Sequence, residues 1–268
     1  MFLDLGPLRR HRDFRALYFG QFVSFIGSMI TYVAIPFQVY QLTQSSFAVG
    51  MVSTVSLVPL LLAALFGGAT ADAMDRRKLL IGSELLLLVC SISLAINAAL
   101  PRPSIAVPFV VAGLVSALNG FHRPALEAMT PRLVDRDEIP AAATLSSVRG
   151  NIGMIAGPAL GGACIATLGM PAAYAIDAAT FALCAAAVAS MKAMPAAEGA
   201  PPPGLAAVAE GLRYAVSRVE LVGTYVVDLV AMTFAMPMAL FPAMAATWGG
   251  ARAAVSYTHL TLPTILRV

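Results

Sequence analysis

Seven apolar runs, each near the length of a bilayer crossing, follow one another along 268 residues with only short polar connections between most of them. They fall at Phe14–Tyr40, Phe47–Thr70, Leu79–Leu100, Ile105–Phe121, Thr144–Leu168, Ala172–Met191 and Leu221–Trp248, the fourth being the shortest. A hydrocarbon core about 30 Å thick is crossed by about 20 mostly apolar residues in a helix. Hydrocarbon offers no water to the backbone, so such a segment must satisfy its own N–H and C=O groups. The expected fold class is therefore all-α integral membrane, with the lipid bilayer as its first partner. Charged residues make up 12% of the chain and hydrophobic ones 59%, about half the charge of a soluble domain. The first run is too long for a signal peptide, and no small-residue cleavage site closes it.

The bases give the orientation. If the helices alternate, all of the 17 Lys and Arg residues except Arg102, Arg252 and Arg267 fall on one side. Positive charge marks the cytoplasmic side, which places the N-terminus there. Cys90, Cys164 and Cys184 lie inside apolar runs without metal-ligand spacing, and read as small lipid- or core-facing residues. His11 and His122 read as interfacial, as do Arg123 and Arg149, whose long stems can reach the headgroups. No metal site, cofactor or nucleic-acid partner is expected. The sequence holds no Gly-x-x-x-x-Gly-Lys loop, no His-Glu-x-x-His and no Gly-x-Ser-x-Gly elbow, so nothing in it points to an enzyme.

Two motifs carry more specific information. Between the second and third runs lies Gly68-x-x-x-Asp72-x-x-x-Arg76-Arg77, an acid and bases in what reads as a tight loop. By itself this is a positive-inside turn or a conformational clamp. In the fifth run Gly150, Gly153, Gly157 and Gly161 lie 3, 4 and 4 residues apart and form one smooth helix face. Such a face lets another helix approach closely. Pro158 removes the hydrogen bond to the Met154 carbonyl and bends the helix there.

The first motif resembles the loop 2–3 signature of the major facilitator superfamily, with Ala73 and Asp75 replacing a base and a glycine of that signature. The run Gly153-x-x-x-Gly157-Pro158-x-x-Gly161-Gly162 is similar to the fifth-helix motif of its antiporters throughout. Asp13-Phe14-Arg15-Ala16, Ser46–Gly50 and Met236–Ala243 further resemble the enterobactin (siderophore) exporter branch, related to drug:proton antiporters. The resemblance covers Leu8 to Gly250. It implies the major facilitator fold, with twelve helices in two halves, of which this chain supplies seven.

The implied organisation is a six-helix half at 1–191 and a cytoplasmic loop with an amphipathic helix at 192–220. The first helix of a second half follows at 221–254. The segment 255–268 is a tail in which Val255–Thr264 reads like a translated transposon-type sequencing adapter, the other reading being a genuine polar loop. The implied function is a proton-coupled exporter of siderophore- or drug-like small molecules, monomeric at full length and resident in the bacterial inner membrane. The competing class is a non-transporting membrane fragment or receptor-like scaffold.

By that resemblance Asp72 and Arg76, with Gly68 and Arg77, form a clamp reaching a late helix of the second half. The Gly153, Gly157, Pro158, Gly161 and Gly162 face packs against the eighth helix. A membrane-embedded carboxyl is costly unless paired, hydrated or protonated. Asp228, Asp177 and Glu84 are therefore the candidates for proton coupling, with the alternative that each is an interhelical hydrogen-bonding acid. The first, fourth and seventh helices line the cavity in the family, which adds Gln21 and Asn119. As it stands, the chain is expected to be transport-inactive, with Gln21 and Asp228 lacking their opposite wall.

Overall fold

A computed structural model describes residues 4–195, 213 and 216–235, and among them there is helix and connection but no strand. After a five-residue helical turn at Gly6–Arg10 come α1 (Arg12–Thr43), α2 (Ser46–Ala73), α3 (Arg76–Ala99), α4 (Ala106–Met129), α5 (Ile139–Leu168), α6 (Met170–Ala189) and α7 (Val219–Ala235). The linker at 196–204, most of the amphipathic segment after it and the tail at 255–268 lie outside the described residues.

Five of these helices contain stretches long and apolar enough to cross a membrane, at Arg12–Thr43, Ser46–Ala63, Arg76–Ala99, Arg136–Leu168 and Met170–Ala189, with mean hydropathy from 1.4 to 2.3. The fourth run differs from expectation. Its helix does not end at Phe121 but continues through His122, Arg123 and Pro124 to Met129, which gives it a polar second half. The fifth likewise begins at Ile139, with Pro140 in its first turn, where a missing N–H costs nothing. The segment read as a tight loop is mostly helix. Gly68 and Asp72 lie within α2, and only Met74 and Asp75 separate it from α3.

Packing runs in sequence from α2 to α4, α4 to α3, α3 to α6, α6 to α1 and α1 to α5. The polarity of the bundle is inverted relative to a water-soluble protein. Phe47, Val58, Val89, Ile96, Val110 and Leu183 are each at least 60% exposed, whereas Glu84 and Asp177 are 0% and 1% exposed. An apolar exterior, with a few polar and charged groups set within a mostly apolar interior, is the arrangement a lipid solvent favours.

Close helix contact depends on missing side chains. A Cβ at Gly153 would lie 2.3 Å from the Phe25 ring, one at Gly157 2.3 Å from the Met29 side chain, and one at Gly161 3.0 Å from the Ile30 backbone. At these three positions the glycine face of α5 is met by α1 of this same chain. On the other side, a Cβ at Gly67 of α2 would sit 2.0 Å from the Gly120 carbonyl oxygen of α4. Pro124, four residues on, has no N–H to offer that carbonyl. The freed acceptor is where the two backbones meet.

This geometry separates two glycines of one motif. Gly161→Val presses on backbone and is expected to lose about 1–3 kcal/mol, read as a lower unfolding midpoint in detergent. Gly150→Ala, where nothing lies within 4 Å of the added Cβ, should leave the midpoint unchanged or raise it. Equal effects of the two substitutions would refute the α1–α5 contact.

Candidate functional site

The basic residues of several connections meet at one end of the bundle. Asp75 caps α3 there, its Oδ1 accepting from the backbone N–H groups of Arg77 at 3.0 Å and Lys78 at 3.2 Å. Its carboxylate also offsets the three bases of that first turn, which face the unfavourable end of the helix dipole. The Arg77 guanidinium reaches the last carbonyls of α6, donating to Val188 O at 3.1 Å and to Ala189 O. The buried Arg76 places its backbone N–H 3.2 Å from Met194 O. Arg10 and His11 both hold Glu138, at 3.0 and 2.6 Å, with Asp135 3.8 Å from the imidazole. His11, Asp135 and Glu138 thus bring ligand atoms within 4.8 Å of one another. Arg10 already occupies one Glu138 oxygen, so the group ties the N-terminal turn to the start of α5.

Deeper in the bundle are two polar layers. In the first, Glu84 of α3 accepts at Oε1 from Gln21 Nε2 at 2.8 Å and at Oε2 from Ser24 Oγ at 3.1 Å, both on α1. His122 Nε2 of α4 lies 2.9 Å from the same Oε1. Gln21 Nε2 is also 3.2 Å from Cys184 Sγ of α6. In the second layer, Asp177 of α6 accepts at Oδ2 from Thr31 of α1 and, at 2.7 Å, from Ser91 of α3. Its other oxygen, Oδ1, is buried without a hydrogen-bond partner in the described residues. Tyr174 adds a bond from its hydroxyl to Gln38 Oε1 at 2.9 Å.

These layers bring Glu84 and Gln21 together and leave Asp177 in a separate network. Gln21 is 4% exposed, sealed by α3, α4 and α6. It does not lack an opposite wall, because its partners belong to the same six helices. His122 is buried too, which corrects its interfacial reading. Asn119 joins neither layer and donates to Val115 O of its own helix at 2.8 Å. The side chains of Asp72 and Asp228 lie outside the described set, and so does the surrounding of Gly68. Ser24, Thr31, Ser91, His122 and Cys184 were missed by reading acids alone.

The sequence profile of the transmembrane secretion effector family, a major facilitator group, matches residues 4–260. The chain belongs to that family. It is 28% identical to the enterobactin exporter EntS of Shigella boydii serotype 18 over 272 aligned positions, which take in 97% of this chain and 63% of the relative. The corresponding exporter of Escherichia coli O1:K1 gives the same identity and coverage. The chain thus spans somewhat under two thirds of the length of these curated relatives. Family membership makes it a multi-pass membrane protein, in agreement with the inverted bundle.

The contact of Arg77 with α6 is directly testable. Arg77→Ala removes two charge-assisted bonds to terminal carbonyls and should cost about 1.5–3 kcal/mol, seen as a lower midpoint in detergent unfolding. Arg77→Lys should recover only part of this, since an ammonium lacks the guanidinium fork. An unchanged midpoint in Arg77→Ala would remove the contact from the account.

Proposed function

We propose that the complete protein is a secondary active transporter, a proton-coupled exporter of siderophore- or drug-like small molecules. It works by rocking two helical halves about a site near the bilayer midplane. The observation that carries this reading is the family match across residues 4–260, and the two exporters among its relatives favour outward transport. In this reading 1–191 is the first half, 192–220 the cytoplasmic loop with its amphipathic helix, 221–254 the first helix of the second half, and 255–268 the adapter-like tail. The gathering of bases at one end favours a cytoplasmic N-terminus, and the enterobacterial relatives favour the inner membrane. The full-length form is taken as monomeric.

Asp228, Asp177 and Glu84 are the carboxyls from which proton coupling is drawn, with Gln21 and Asn119 as polar neighbours of the pathway. A second reading, a non-transporting membrane scaffold, draws on the sealing of Glu84 and Asp177 inside one half. Efflux from vesicles under an imposed proton gradient, using a chain extended to the length of its relatives, separates the two. Gradient-dependent loss of a siderophore, drug or dye is expected, and its absence for all three classes would sink the exporter.

The clamp adds a further expectation. Asp72→Asn in the extended chain should bias the transporter toward its inward-open form and reduce efflux. Wild-type efflux with unchanged cysteine accessibility from both sides would count against it.

A further inference from the structure

We infer that Glu84 and His122 form a proton relay, in which Glu84 stores the proton and His122 passes it between that carboxyl and the bundle surface. The inference rests on the proton coupling proposed above and assigns it to one pair. Glu84 is fully buried, whereas His122 retains 10% of its side-chain exposure. All of the imidazole's hydrogen bonds in the described residues go through Nε2, to Glu84 Oε1 at 2.9 Å and near Gln21 Nε2 at 3.3 Å. Nδ1 has no such bond and is not among the buried atoms left without a partner. The ring therefore has Nε2 on the carboxyl, while the side chain as a whole keeps a tenth of its surface accessible.

The network fits both protonation states. With Glu84 ionised, its oxygens accept from Gln21, Ser24 and His122 Nε2–H, and three donors suit a buried anion. When a proton from water binds Nδ1, the Nε2 proton moves to Glu84 Oε1. The imidazole ends neutral with its hydrogen on Nδ1, and Glu84 becomes a carboxylic acid donating to Nε2. One proton has entered, and the pair goes from a net charge of minus one to zero. Gln21 and Ser24 donate throughout, so neither state leaves a buried orphan. The titratable groups around the pair are Cys184 and Asp177 on α6, with Arg149 of α5 acting on Cys184. Among the described residues, His122 is the one basic side chain paired with Glu84.

The test uses the 268-residue chain in nanodiscs of neutral lipid, followed by infrared difference spectroscopy after a pH jump. A protonated-carboxyl band should grow together with a change of imidazole tautomer, and Glu84→Gln should abolish it. His122→Gln keeps a polar side chain but cannot relay, and should slow the band's growth roughly 100-fold while leaving its final amplitude. Circular dichroism of each variant verifies that the helices form, and His122→Gln alone suffices if Glu84→Gln does not fold. A band that survives Glu84→Gln and vanishes in Asp177→Asn, or an unchanged rate in His122→Gln, would overturn the relay. In the extended transporter, Glu84→Gln should abolish gradient-driven efflux while substrate exchange across the vesicle without a gradient persists. Gradient-driven efflux retained in Glu84→Gln would overturn the assignment of coupling to this pair and leave the exporter reading intact. Gradient-independent efflux in the unmodified protein, with the infrared relay present, would overturn the coupling and leave the relay.

Discussion

The arrangement depends on α1, because it is the helix that others can approach at backbone distance from two sides. Lipid chains are as apolar as leucine, so burial of apolar surface does little to drive one helix onto another. Close packing and interhelical hydrogen bonds must do so instead. The absent side chains of Gly153, Gly157 and Gly161 bring α5 against Phe25, Met29 and Ile30 of α1. On another face of α1, Gly27 lies so close to α6 that a Cβ would meet Thr180 Oγ1 at 2.0 Å and Asp177 Oδ1 at 2.7 Å.

That closeness is what allows short side chains to bond across helices. Ser24 and Thr31 have single-carbon reach, yet each donates to a carboxyl on a neighbouring helix. The polar layers and the glycine contacts are one feature. Removing the close approach would leave Glu84 and Asp177 in a dry interior with fewer donors, where an unpaired charge is costly. The same packing leaves both acids almost wholly buried among the described helices. A proton reaching Glu84 has His122 as its partly accessible neighbour.

Much of the layer geometry was written in the sequence as a spacing of seven. Ser24 and Thr31, Glu84 and Ser91, and Asp177 and Cys184 each lie seven residues apart on α1, α3 and α6. Two turns of helix separate such residues by about 10 Å along one face, so three helices each offer two polar positions at matching heights. Reading acids one at a time passed over this pattern. His122 was passed over for a different reason. It stands beside Arg123 and Pro124, a combination that reads as the end of a helix at the membrane surface, whereas α4 continues five residues past Pro124 and carries the imidazole inside.

The sequence alone determined the solvent, the helical class and the family. Those rest on run length, on the absence of water for the backbone in hydrocarbon, and on motifs of local spacing. Only the tertiary structure decided which faces meet. The glycine motif announces that something comes close, but a smooth surface does not name its partner, and α1 fills that place. The clamp motif announces charge at a junction, but whether Arg77 reaches across the protein or back to its own half depends on where α6 ends. It ends beside the start of α3, and the unpaired carbonyls of that terminus draw the guanidinium. A buried carboxyl is legible from its neighbours in the chain, while the donors that hold it come from helices far apart in sequence.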